Sequence, residues 1–501
     1  MRYLPNGKQM SEADAHTIHE IGIPSLVLME RAALQIVETM HKKNISTEKS
    51  LIVCGSGNNG GDGFAVARLL TEQGKHADVL FAGKEASLSE ECRCQKQIVE
   101  NMGISVFTEF PDEEYTVIID AVFGVGLCRE ITGHYKDVID WMNLQDAEKV
   151  AVDIPSGICA ATGKILGTAF RADLTVCMAC VKLGCELFPG KSYAGESIPV
   201  AIGIDPKYFS NRPDVCYTFD KNDLGKLLPS RMMNSHKGSY GKVLMITGSP
   251  GMAGAAFLSA CAAYTVGAGL VQIYTASENR LALQELLPEA IISCYDSYDD
   301  SQLSHLLDWA DVVCIGCGLG MGQISEKILK NVSCPCVIDA DGLNLLSRNI
   351  ELLNQCCAPV ILTPHMKEMS RLTGWSIDTI MEDRFQALDQ IIKQSGPDTK
   401  SSIICVLKDS RTVVAQTNRQ KFVNLAGTNS MAKGGSGDVL AGTIAGLLAQ
   451  HMAPFEATTV GVFLHACGGD EAKKSKGSYS VLARDLIQGM ADAMKNAKEC
   501  R

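Results

Sequence analysis

The chain has 501 residues, of which 46% are hydrophobic and 21% charged, and a formal net charge of −11. That length exceeds a single compact core, so two or three domains are expected. The composition is that of a folded globular protein, and the acidic balance lacks the basic stripe that a nucleic-acid partner demands.

The opening MRYLPNGKQMSEADAHTIHE has no apolar core of a signal peptide. No later run reaches the roughly 18 apolar residues that cross a bilayer. A cytoplasmic protein with no membrane partner is expected, and its 20 Cys are read as thiols in a reducing compartment. Two CxxC spacings, Cys177–Cys180 and Cys314–Cys317, sit in apolar strand-like runs with no second pair or His at zinc spacing. Both are read as buried free thiols.

Residues Ser11 to Lys43 read as two helices broken near Gly22-Ile23-Pro24. From Lys49 to Ile204 the apolar runs SLIVC, ADVLF, TVIID, KVAVD, DLTVCMA and SIPVAI alternate with amphipathic stretches. That pattern predicts a parallel sheet covered by helices on both faces, a Rossmann-like three-layer sandwich. A polar, Pro- and Gly-containing stretch near Asn211 to Asn222 marks the boundary between domains 1–215 and 222–501. A second series follows, KVLMITG, GLVQIYT, DVVCIGCG, CPCVIDA, PVILT and SIICVL, before a mostly helical tail from Gly435 to Lys498. The second domain is therefore also α/β.

After SLIVC comes CGSGNNGGDGFAVARLL, a glycine-rich turn from strand into helix. Such a turn lets backbone N–H groups approach phosphates with the helix dipole behind them. Gly55, Gly57 and Gly60 fit G-x-G-x-x-G, but the next strand ends without the acidic residue of a standard NAD site. No Lys-Ser/Thr follows to make a P-loop. Asn59, Asp62, Asp120, Asp153 and Ser156 all fall at the carboxyl ends of predicted strands, where a parallel sheet gathers its ligand. Carboxylates, an amide and a hydroxyl meeting there suit a hard cation. Singly, each Asp is more simply a helix cap; as a set they read as a site.

NNGGDG, DAVFGVGL and DIPSG, with the leading GIPSLVLMERA, resemble the N-terminal domain of the YjeF family, the NAD(P)H-hydrate epimerases. The resemblance covers nearly the whole first domain. It implies that Asn58, Asn59, Gly60, Gly61 and Asp62 hold the hydrated dinucleotide. Gly124, Val125, Gly126, Leu127, Cys128, Arg129, Glu130, Asp153 and Ser156 would join them. It implies a potassium ion on Asn59, Asp120 and Ser156, and makes Asp153 the candidate for proton transfer at C6 of the nicotinamide.

In the second domain, AGTNSMAKGGSGDVLAGTIAGLLAQ places Gly434, Gly435, Ser436, Gly437 and Asp438 at the start of a long apolar helix. Free N–H donors, a positive dipole end and an embedded carboxylate suit phosphoryl transfer: the amides stabilise the moving phosphate and the Asp takes a hydroxyl proton. The simpler reading, a glycine-rich helix start with a first-turn Asp, is weakened by three Gly in the four residues before Asp438.

GGSGD resembles the anion hole of the ribokinase-like superfamily. HKGSYGKVLMITGSPGMAGAA, GCGLG, IDADGLN, LTPHMKEMSRL and KDSRT narrow the likeness to the YjeF C-terminal domain, the ADP- or ATP-dependent NAD(P)H-hydrate dehydratases. The resemblance implies that Ala255, Gly318, His365 and Asp438 contact the hydrated dinucleotide. Lys408, Asp409, Ser410, Arg411, Thr412 and the Gly434–Gly437 loop would bind ADP, with Mg²⁺, and Asp438 would be the catalytic base. His365 alone is equally a capping residue. The chain departs from the family pattern at Cys317, where Pro is commoner, at Met366-Lys367, where Pro-Gly is commoner, and at Lys433, which replaces a small residue.

The implied function is repair of hydrated NADH and NADPH: R and S epimers interconverted by the first domain, the S form dehydrated by the second, in an expected homo-oligomer. Two other readings stand beside it. A ribokinase-like small-molecule kinase shares the anion hole but leaves the first domain unexplained, and a non-enzymatic scaffold leaves Asp120, Asp153 and NNGGDG unexplained.

Overall fold

The computed structural model describes residues 1–320, 327–394 and 402–499. The chain divides into two compact units, Arg2–Tyr217 and Thr218–Arg501, with Met1 grouped with the second.

In the first unit, helix α1 (Gly7–His19) begins four residues ahead of the expected Ser11. Its start is set by Asn6, whose side chain accepts from Gln9 N while the Gln9 side chain accepts from Asn6 N. This reciprocal cap satisfies two donors that a helix end leaves open. Helix α2 (Ser25–Lys42) follows Pro24 and buries Leu28, Met29, Ala32, Ala33, Ile36, Val37 and Met40 on one face.

Seven parallel strands then form the sheet: β1 (Lys49–Cys54), β2 (His76–Phe81), β3 (Val106–Phe107), β4 (Val117–Ala121), β5 (Glu148–Val152), β6 (Leu174–Met178) and β7 (Glu196–Val200). Their spatial order is β3-β2-β1-β4-β5-β6-β7. Ile52 and Cys54 belong to one hydrophobic cluster, while Leu51 and Val53 of the same strand belong to another. Alternate side chains thus face opposite layers, and both faces are covered, as a parallel sheet requires. Strand order reverses between β1 and β4, where Gly55 N donates to Ala121 O at 3.0 Å. Helix α3 (Asn58–Glu72) starts at this point.

The second unit carries β8 (Lys242–Ile246), β9 (Leu270–Ala276), β10 (Ile291–Tyr295), β11 (Val312–Ile315), β12 (Cys336–Ile338), β13 (Val360–Leu362), β14 (Ile403–Leu407), β15 (Val413–Gln416) and β16 (Phe422–Val423). They lie in the order β16-β15-β14-β13-β12-β11-β8-β9-β10. Pairing is parallel from β10 to β14, and antiparallel where β14 meets β15 and β15 meets β16. The order reverses between β8 and β11, where Gly248 N donates to Cys317 O at 3.0 Å and Ser249 N to Gly318 O at 2.7 Å.

Four helices bear on the site: α4 (Ala253–Thr265), α5 (Met366–Thr373), α6 (Ser436–Ala449) and α7 (Pro454–Ser480). All residues of α6 from Val439 to Ala449 are buried, so its apolar run is a central core helix.

Candidate active sites

At the β1/β4 crevice of the first unit lies a cavity of about 540 Å³, within the range of small-molecule sites. Asn58, Asn59 and Asp62, from the first turn of α3, line it together with Gly124, Val125, Gly126, Leu127, Cys128, Arg129 and Asp153. Gly60 and Gly61 stand behind the lining: a Cβ on Gly60 would meet Gly55 O at 2.0 Å, and one on Gly61 would meet Met29 Cε at 2.5 Å. Their task is close packing that lets the α3 N-terminus reach the crevice. Glu130 is exposed and outside the lining.

Asp120 is fully buried at the end of β4. Its Oδ1 accepts from Ser156 Oγ at 2.6 Å and Val122 N at 3.2 Å, and its Oδ2 accepts from Ser156 N at 2.7 Å. Burial raises its pKa to about 6 in spite of these three neutral donors. Asn59 Nδ2 is buried without a hydrogen-bond partner, so its amide is free to turn Oδ1 inward.

Asp153 adopts φ +68°, a left-handed conformation that a non-glycine residue takes at a cost. Its Oδ1 accepts from Met178 N at 2.9 Å and from Lys182 Nζ, and Lys182 Nζ also donates to Met178 O at 2.9 Å. Lys182 is fully buried. Burial opposes its charge, but Asp153 outweighs that and holds the Lys182 pKa above the ordinary lysine value. Both bonds land on Oδ1, so Oδ2 is the oxygen left for a ligand.

Asp14 and Asp62 line the same cavity. Burial, then the charge of Asp153, raises both of their pKa values, that of Asp62 well above its ordinary value. Sequence reasoning missed Lys182 and Asp14. The one available signal for Lys182 was a cation directly after the apolar run DLTVCMACV.

In the second unit, Gly435 takes φ +90° and caps α6, placing Asp438 in its first turn. A Cβ on Gly437 would stand 3.3 Å from Lys408 Nζ and 3.4 Å from Asp339 Oδ2. The anion hole therefore rests directly on the Lys408–Asp339 ion pair, whose Nζ–Oδ1 distance is 2.6 Å. Thr363 Oγ1 also donates to Asp339 Oδ1, at 2.7 Å. Burial opposes the Lys408 charge, but Asp339 and Glu368 outweigh it and raise its pKa. Burial, then Asp339, pushes Asp438 up to about 6, in the range useful for a base near neutrality.

Gly318 (φ +59°) faces Ala255, since an added Cβ would lie 2.7 Å from the Ala255 Cβ. These two predicted dinucleotide contacts are adjacent. His365 caps α5: its Nδ1 accepts from Lys367 N at 3.1 Å and Glu368 N at 3.2 Å, which makes Nε2 the N–H, and Nε2 lies 3.4 Å from Glu368 Oε1.

The KDSRT loop is more self-contained than expected. Asp409 Oδ2 accepts from Arg384 Nε at 3.2 Å, Thr412 Oγ1 donates to Asp409 O, and an Arg411 guanidinium N–H donates to Leu425 O. Lys433 Nζ donates to Tyr479 O at 3.2 Å. His465, not foreseen, places Nε2 at 3.4 Å from Ser436 Oγ inside the anion hole, and burial lowers its pKa to about 4.

Comparison with known proteins fits these two sites to two matched segments. Residues 25–184 match the model described as YjeF-related protein N-terminus, and residues 243–491 match that of NAD(P)H-hydrate dehydratase. The chain is 34% identical to the bifunctional NAD(P)H-hydrate repair enzyme of Moorella thermoacetica, over 99% of this chain and 97% of that protein. It is 35% identical to the enzyme of the same name from Coxiella burnetii, over 97% and 98%.

The chain belongs to the family of bifunctional NAD(P)H-hydrate repair enzymes.

Among solved structures, the ADP/ATP-dependent NAD(P)H-hydrate dehydratase of Bacillus subtilis is similar, with 27% identity, 56% of this chain and 97% of that one covered, and a TM-score of 0.47. Asp120, Asp153, Ser156 and Lys182 fall inside the first matched segment of this repair-enzyme family, and Asp14 falls before it. The second matched segment contains Ala255, Asp339, Lys408, Asp438 and His465.

Proposed function

We propose that the first unit epimerises hydrated NADH and NADPH at C6, and that the second dehydrates the S epimer to NAD(P)H at the expense of ADP. The observation that carries this reading is common to both units: a carboxylate stands by the carboxyl ends of the parallel strands, Asp153 lining the first unit's cavity and Asp438, from the first turn of α6, with its donor atom within 4.8 Å of those of Cys317 and Asp339 in the second.

In the hydrate, C6 bears a hydroxyl and is bonded to N1. Asp153 Oδ2 takes the hydroxyl proton while the C6–N1 electron pair moves to N1, which leaves C6 as a trigonal carbonyl carbon. N1 then adds to the opposite face, and the proton returns to oxygen. Lys182 holds Oδ1 and so orients the carboxylate. The residues fit a potassium ion on Asn59, Asp120 and Ser156, because Asp120 is a buried carboxylate with only neutral donors and the Asn59 amide has an unpartnered buried end. Such an ion would offset the charge of Asp120 and of the dinucleotide when bound.

In the second unit, Asp438 takes the C6 hydroxyl proton as that oxygen attacks the terminal phosphorus of ADP. The bridging P–O bond breaks, AMP leaves, and amides of the Gly434–Gly437 loop stabilise the transferred phosphoryl group. The N1 lone pair then expels phosphate from C6, and loss of a C5 proton restores the double bond. The buried carboxylates Asp339 and Glu368, both facing Lys408, fit an oxygen-ligated Mg²⁺, which would offset phosphate charge. Ala255, Gly318 and His365 would contact the dinucleotide, and Lys408 to Thr412 the nucleotide.

The 19 described cysteines are all free thiols, which supports a cytoplasmic setting. The test is direct. Hydrated NADH is mixed with ADP, Mg²⁺ and the protein, and return of reduced-nicotinamide absorbance is followed. Absence of any return with both epimers present refutes the reading, and a stable phosphorylated product in its place indicates a small-molecule kinase.

A further inference from the structure

Where β11, β12 and α6 converge, a sulfur joins the two carboxylates of the dehydratase site. Cys317 and Asp339 are buried, Asp438 is half-buried at the crevice, and one donor atom from each lies within 4.8 Å of the other two. We propose that Cys317, Asp339 and Asp438 bind a thiophilic divalent cation of the zinc type, and that its binding blocks dehydration by capturing the general base. The blocking half rests on the assignment of Asp438 as base; the binding half does not.

The ligand set shares Asp339 with the oxygen site assigned above and differs from it by a sulfur, that of Cys317. Magnesium takes oxygen ligands, whereas a thiolate selects zinc, cobalt or cadmium. Metal–sulfur bonds of about 2.3 Å and metal–oxygen bonds of about 2.0 Å at tetrahedral angles need donors about 3.3–3.5 Å apart. Binding requires the Cys317 and Asp438 side chains to move by enough to close that difference, with a water in the fourth position.

Charge also points to a divalent ion. A thiolate and two carboxylates carry three negative charges, Lys408 offsets one at 2.6 Å from Asp339, and a divalent cation neutralises the remainder. Without metal, the hydrogen bond with Cys314, burial and the nearby carboxylates keep the Cys317 thiol protonated, with its pKa well above the ordinary cysteine value. On binding, the metal–sulfur bond replaces the S–H bond and the proton passes to water, as metal–thiolate formation requires. Asp339 is positioned for this: Lys408 and Thr363 occupy its Oδ1, while Oδ2 faces the Gly437 turn.

The experiment uses the metal-stripped full-length chain. Zinc binding is measured by equilibrium dialysis, cobalt binding by its thiolate charge-transfer absorption, and dehydration of the hydrate is followed in parallel. The same measurements are made on Cys317→Ala and on Cys317→Ser, which keeps a hydroxyl beside Asp438. Each variant is referred to its own zinc-free rate and thermal transition.

The expected result is one zinc equivalent whose affinity falls at least tenfold in both variants, a cobalt band lost with Cys317, and inhibition of the unaltered protein that a chelator reverses. Equal zinc affinity in all three proteins, or a cobalt band independent of Cys317, overturns the site. A Cys317-dependent metal bound without loss of dehydration leaves the site standing and overturns the blocking role, and with it the assignment of Asp438.

Discussion

Lys408 stands 2.6 Å from Asp339 and directly under Gly437, so a residue of the KDSRT loop supports the floor of the anion hole. This couples two segments that lie some way apart in sequence. Lys408→Met would leave the Asp339 charge buried beside an apolar side chain with no cation to offset it. Removing one partner of a buried pair costs about 3–5 kcal/mol. Thermal unfolding of the second unit is expected to shift down, with dehydration lost and epimerisation retained. A normal transition in Lys408→Met would contradict the buried pair.

Asp438→Asn keeps the shape of the anion hole and removes the base. Nucleotide-dependent dehydration is expected to fall by about 10²–10⁴, with epimerisation unchanged. The check is a coupled assay that reads both reactions on one sample, and a variant with full dehydration refutes the assignment.

Asp120→Ala removes the carboxylate of the proposed potassium site. Hydrate binding to the first unit is expected to weaken, and any dependence of epimerisation on potassium to disappear. Titration of hydrate at several potassium concentrations reads both effects. Unchanged potassium dependence in the variant would rule out a site built on Asp120.

The division of labour is tested with Asp153→Ala in the full chain. A mixed hydrate sample should lose its S fraction at the normal rate and then stall at the pace of uncatalysed epimerisation, because a chiral pocket accepts one geometry. Complete clearance at the normal rate would give the first unit another role.

His465 supplies a pH dependence of stability. Its folded pKa, lowered to about 4 by burial, lies below the unfolded value of 6.5. Between those values the unfolded chain binds the extra proton, so stability is lost as pH falls from 6.5 towards 4 and is unaffected above. The full effect is of order 3 kcal/mol. Denaturant melts of His465→Gln should lose less stability across that window than the unaltered protein, and equal slopes would refute the assignment.

The legible parts of this molecule were those written in one segment. Strand ends brought Asn59, Asp120 and Asp153 to notice, because a parallel sheet sends all its carboxyl ends to one side, and the glycine-rich start of an apolar helix brought Asp438. The pairs that complete each site were not legible, because Lys182 and His465 acquire meaning only from what burial brings against them. The hairpin β15–β16 was missed for a related reason: its two short strands carry too few residues for a period to register, and pairing alone defines them. Likewise α1 was begun late, since the Asn6–Gln9 cap is a two-residue signal ahead of any apolar period.

Asp153 holds a left-handed backbone conformation that glycine adopts freely. A selection for thermal resilience alone should therefore recover Asp153→Gly, provided the buried Lys182 is relieved at the same time by an apolar partner such as Lys182→Met. The resulting protein would melt later and epimerise nothing. If such a screen instead kept Asp153, the aspartate in that conformation would be serving the fold rather than turnover.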